Sequence, residues 1–288
     1  MAPARTLIPL LASAICLLGP GMAAAQDNLA GRWRGLFHED NEHRIPGPLL
    51  GDYTGIPVND AARLKARTWD ASILSQPEQQ ARPHPAVYSM RGPANLLFDE
   101  IVDPETNRVV ALRISGLFGN ADRTIWMDGR PHPSSPRALH TWNGFSTGEW
   151  MGRTLTVTTT HIKAAFIQRN GVPTSANATM TEFIVRHGNY MTNTTIVDDP
   201  AYLEEPFIRT TNFVLDPQLN VNPPSVMEIV DEVAAPRAGV VPNFPMGTIN
   251  TELAEKSGLP VEATQGGRAT LYPEYRLRLQ ELMRGAGR

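Results

Sequence analysis

The side chains best suited to moving protons near neutral pH are seven histidines, His38, His43, His84, His132, His140, His161 and His187. His161 closes the run TLTVTTTHI, where strand alternation puts Leu155, Val157, Thr159 and His161 on one face. With that face turned inward, His161 sits at the inner mouth of a barrel as a catalytic acid or base, or as a core histidine satisfied by a backbone carbonyl. Glu182, with His140 as an alternative partner, completes an acid–base pair. Glu182 and Arg186 share a face with Met180 and Ile184, whereas Phe183 and Val185 share the other. Both faces carry apolar residues, so the pattern leaves open whether Glu182 and Arg186 form a buried pair near a pocket or a surface cross-strand pair.

The quartet RPHP occurs twice, at Arg82–Pro85 and Arg130–Pro133. Flanking prolines hold His84 and His132 in an extended, rigid backbone. That rigidity suits a binding histidine and suits a loop staple equally. Arg186 and His132, with Trp126 and Trp142, are the candidate substrate-binding groups; the tryptophans (Trp33 and Trp150 with them) suggest a flat or aromatic molecule. GFSTG (Gly144–Gly148) matches the nucleophile elbow, but an elbow needs a strand, a sharp turn and a helix, and Ser146 lies in strand-rich sequence. His38 and His43 stand near Glu39, Asp40 and Glu42, which reads as solvated charge, and no metal is assigned. No dinucleotide fingerprint or phosphate loop is present, so no cofactor is expected. A net charge of -3 offers no bulk attraction for nucleic acid.

These groups must be carried by a β framework. The chain has 288 residues, of which 25 are proline and 23 glycine, a composition that favours short strands and ordered loops. Residues 1–25 have the form of a signal peptide: Arg5, an apolar run from Leu7 to Leu18, and Ala23-Ala24-Ala25 before cleavage at Gln26. Export to the periplasm or beyond is expected, with no membrane span left in the mature chain. Beyond that segment the chain has no cysteine, which excludes thiolate chemistry and leaves stability to core burial. After a strand at Leu29–Phe37, Asn59 is placed to cap a helix over Asp60–Leu74. From Asn95 onward, three hairpins and a further strand at Pro206–Asp216 predict an antiparallel meander closing into a lipocalin-like barrel. A last helix is expected over Pro273–Met283, after an irregular, proline-punctuated stretch. The mature chain is expected to be one β-barrel domain.

The runs RTIWMDGRPHP, HTWNGFSTGEW, RHGNY and EPFIRTTNFVLD together resemble a group of uncharacterised secreted bacterial proteins, along nearly the whole chain after the signal. The resemblance implies a bacterial source and export, and carries no assigned activity. This chain has Met151-Gly152-Arg153 where the group has an acidic turn, and Ala81 where the group usually has cysteine. Two functions follow from the residues. One is cofactor-independent acid–base chemistry on a small organic molecule, of lyase, isomerase or hydrolase type. The other is carriage of an apolar ligand in the barrel.

Overall fold

Alternating apolar and polar residues form the barrel. The computed structural model describes residues 27–40, 44, 47–69, 83–91, 95–221 and 244–286. The signal segment therefore lies outside the described residues. Among the described residues eleven strands run in chain order: β1 (Gly31–Gly35), β2 (Asn95–Val102), β3 (Val109–Ser115), β4 (Arg123–Trp126), β5 (Phe145–Met151), β6 (Thr154–Thr160), β7 (Ala165–Phe166), β8 (Pro173–Thr174), β9 (Thr179–His187), β10 (Tyr190–Asp198) and β11 (Phe207–Leu215). Nine of them close a barrel in the order β1-β11-β10-β9-β6-β5-β4-β3-β2, and β7 and β8 form a separate ribbon.

The three expected hairpins are β2/β3, β5/β6 and β9/β10, and the strand after them is β11. The strict meander needs one correction. Nine strands cannot alternate direction all the way around a ring, so one neighbouring pair must run parallel. That pair is β4 and β5, with Ile125 opposite Ser146 and Trp126 opposite Thr147. The chain between them, residues 127–144, must return to the end it left, and it carries the second RPHP quartet along the outside of the sheet.

Side chains fill the barrel. Trp33, Leu96, Phe98, Leu112, Ile114, Ile125, Leu155, Val157, Ile184, Met191 and Phe213 form a continuous buried cluster. Full burial of each of its larger side chains stabilises the fold by about 1.5–3 kcal/mol. A second cluster joins Met180, Val197 and Phe207 of the wall to Ala86 and Val87, and to an outer layer of Tyr53, Ile56, Val58, Ala62 and Ala66. The outer layer includes α1 (Asp60–Ala66), where the Asn59 side chain accepts from Ala62 N as expected of a cap. The helix is shorter than its sequence pattern. The Thr68 hydroxyl and backbone N–H both take the Lys65 carbonyl at 2.7 and 3.1 Å, ending the helical ladder; residues 70–74 of the expected helix lie outside the described residues. Four further helices among the described residues are α2 (Ala86–Ser89), α3 (Glu252–Ser257), α4 (Val261–Thr264) and α5 (Tyr275–Ala286). The last is the expected C-terminal helix, and α3 and α4 occupy sequence read as irregular. Among the described residues no helix is long and apolar enough to cross a membrane.

Candidate functional site

Alternation along β9 turns Met180, Glu182 and Ile184 inward. Glu182 is fully buried and meets Arg123, from the start of β4, at 2.5 Å. Asn193 Nδ2 donates to the other oxygen of Glu182 at 3.0 Å. Arg123 also donates to Ser146 Oγ (3.2 Å) and Thr159 Oγ1 (2.8 Å). Ser146 is thus an interior strand residue and no nucleophile elbow. Arg186 does not join this pair. Its guanidinium donates to the carbonyls of Gly188 and Asn28, and lies 5.4 Å from the Trp33 ring. The Arg123–Glu182 pair is enclosed and hydrogen-bonded on several sides, which is the requirement for burying two charges together.

His161 also departs from its expected place. Leu155, Val157 and Thr159 do face the interior. His161, however, follows the strand with φ of +56°, and the left-handed backbone takes its side chain out of the alternation. His161 instead packs against His140 and is linked to His132 through the Thr160 hydroxyl, while Glu182 is bound to Arg123 and Asn193. The chain between β4 and β5 folds over the outer face of β5 and β6, where Thr147, Phe145 and Thr160 point outward. His132 stands between two of them, with Nε2 at 2.7 Å from Thr147 Oγ1 and Nδ1 at 2.8 Å from Thr160 Oγ1. Its ring packs edge-on against Phe145 at 5.2 Å. Thr160 Oγ1 is also 2.8 Å from His161 Nδ1, and His161 Nε2 is 2.9 Å from the Ser135 carbonyl. The His140 and His161 rings lie 5.0 Å apart, and the His140 nitrogens face the carbonyls of Ala138 and Ala176.

One assignment of protons satisfies the whole row with neutral rings. A carbonyl only accepts, so His161 Nε2–H donates to Ser135 and Nδ1 accepts from Thr160. The Thr160 oxygen then accepts from His132 Nδ1–H, leaving His132 Nε2 to accept from the Thr147 hydroxyl. Burial, with the nearby His161, lowers the pKa of His132 below the usual 6.5, so its ring is neutral at neutral pH. The site is therefore a row of four side chains, Thr147–His132–Thr160–His161, in which each hydrogen bond orients the next.

The tryptophans stand beside this row. Trp126, opposite Thr147 in the sheet, carries the Arg130 guanidinium 3.5 Å from its ring centre, and Arg130 is also paired with Asp128. Lys163 lies 5.0 Å from the Trp142 ring. Each thus has a cation on its ring. Thr147 and Thr160 carried no signal in the sequence beyond their place on the outward face of a strand. Arg123 shares a face with Ile125, which would have placed it inside, but nothing marked Glu182 as its partner. Among the described residues no group of three or more His, Cys, Asp or Glu side chains is placed to hold a metal ion.

Fold and site together define a closed nine-stranded β-barrel bearing an external histidine–threonine row. No family model matches the chain, and no curated protein or solved structure matches it either.

Proposed function

We propose that the protein is a cofactor-independent acid–base enzyme of hydrolase type acting on a small organic molecule, with its centre at the row Thr147–His132–Thr160–His161. The observation that carries this reading is the Thr147 hydroxyl oxygen at 2.7 Å from His132 Nε2, the nitrogen left without a proton when the rings of the row are neutral, with Nδ1 held by Thr160 Oγ1 at 2.8 Å. Such an arrangement lets the imidazole take a proton from a hydroxyl, or from a water or substrate hydroxyl in its place. The proton is then passed on by exchange along Thr160 to His161. His140 borders the far end of the row. Carriage of an apolar ligand has less support, because buried apolar side chains pack the described interior of the barrel.

A panel of chromogenic small esters and lactones tests the reading. Turnover should fall on the order of 10²-fold or more in His132→Ala and in His161→Ala, with Thr147→Ser retained above Thr147→Ala. Unchanged turnover in both histidine variants overturns the assignment, as does failure of the whole panel. We also propose export, supported by the tripartite start of the chain and by the resemblance to secreted bacterial proteins. N-terminal sequencing of the exported protein should begin near Gln26, and a start at Met1 would contradict it.

A further inference from the structure

A second group of charges lies at the α2 end of the barrel, apart from the histidine row. Arg91 follows α2 and is buried, and Arg44 is wholly buried. Both pair with one carboxylate, Asp40, which accepts from Arg44 Nε and from Arg91 Nη2. Arg209 faces inward from β11 beside Arg91, with its guanidinium 4.6 Å from the Phe207 ring. Among the described residues, Asp40 is the one carboxylate paired with Arg44 or Arg91, and Arg209 has no ion pair. Glu182 lines the same cavity but is committed to Arg123. Among the described residues, Arg44 and Arg91 therefore share one carboxylate, and Arg209 beside Arg91 has none. The hydrogen-bonding count agrees: Nη1 and Nη2 of Arg44 and Nε and Nη1 of Arg91 are buried donors with no acceptor among the described residues.

Unmatched buried cations are costly, and a buried donor without an acceptor costs about 1–3 kcal/mol. Arg209 is part-buried, and its partial withdrawal from water, with Arg91 next in weight, lowers the pKa of its guanidinium. The surrounding cavity is lined by Arg91, Arg209, Asn193, Thr195 and Thr211 along with apolar side chains. The cavity is small and partly polar, which limits its occupant to the head of a small anion. We propose that this cavity is an anion site, in which Arg91 and Arg209 take the carboxylate group of a small organic acid. Guanidinium forks match a carboxylate with two parallel hydrogen bonds. The site does not depend on the histidine row, and its ligand is recognised by charge and not by turnover.

The test uses the mature full chain in thermal unfolding, titrated with sodium formate, acetate, phosphate or sulfate, each against sodium chloride at equal ionic strength. Formate or acetate should raise Tm saturably, on the order of 2 °C or more above chloride. Arg209→Gln should abolish that rise, and in chloride it should unfold no lower than the parent, since it removes an uncompensated cation. Arg209→Lys should keep part of the rise, separating charge from shape. A rise that survives in Arg209→Gln, a saturable rise with phosphate or sulfate alone, or no difference from chloride would each overturn the proposal.

Discussion

The two RPHP quartets place the same residue in opposite surroundings. His84 is wholly buried, its ring against Phe118 at 4.7 Å, Tyr88 at 5.2 Å and Phe166 at 5.7 Å. Its backbone N–H donates to Gly119 O at 2.8 Å, and its carbonyl accepts from Asn120 Nδ2 at 2.7 Å. Gly119, with φ of +58°, is needed there because a Cβ would stand 2.6 Å from the His84 ring. His132 lies half-buried on the outside, with both ring nitrogens against hydroxyls whose protons can move. The proline-fixed backbone is common to both. What differs is the surroundings of the ring: three aromatic rings pack around His84, whereas two hydroxyls bracket the nitrogens of His132.

The largest effect should follow truncation of the buried copy. His84→Ala should lower stability by about 2–5 kcal/mol, the range for emptying a large buried site, measured by urea unfolding. A loss below about 0.5 kcal/mol would dissolve the contrast with His132. Next comes His161, whose left-handed backbone tolerates glycine but resists a β-branched side chain. His161→Val should be less stable than His161→Gly by about 1–3 kcal/mol. Equal stabilities would show that the left-handed turn is not imposed by the fold.

The smallest effect on stability, and the sharpest on the contrast, belongs to His132. His132→Ala should cost about 1 kcal/mol, the net worth of hydrogen bonds at a partly exposed site, while removing turnover. Its pH signature has a defined sign. The folded pKa lies below the usual 6.5, so the unfolded chain binds the proton more readily. The contribution of neutral His132 is fully present above about 6.5 and is lost as pH falls from there through the lower folded value. His132→Gln should flatten that part of the stability–pH curve, measured by denaturant titration between pH 4 and 8. A slope unchanged in the variant would place the titration elsewhere.

Much of the framework was legible in the residue order. Alternation in TLTVTTT and TMTEFIVR gave the barrel strands, and the short polar turns gave the hairpins, because both are properties of neighbours in the chain. Asn59 was recognisable as a cap for the same reason. The parallel step between β4 and β5 was not, since it follows from the number of strands in the closed ring. The acid–base partners were legible only as types. Alternation put Glu182 and Arg186 on one face, yet Glu182 found Arg123, 59 residues earlier. His161 was assigned an inward place that a single positive φ removed.

What the sequence by itself determined was therefore the periodic part: strands, turns, a capped helix, and histidines held rigid by proline. Tertiary structure alone decided which RPHP histidine is a packing ring and which joins a hydrogen-bonded row. It also decided that Arg44 and Arg91, from separate segments, share the Asp40 carboxylate. The physical reason is range. Backbone preference and side-chain alternation act over a few residues, whereas burial and charge pairing are set by whichever strand the closed barrel brings alongside.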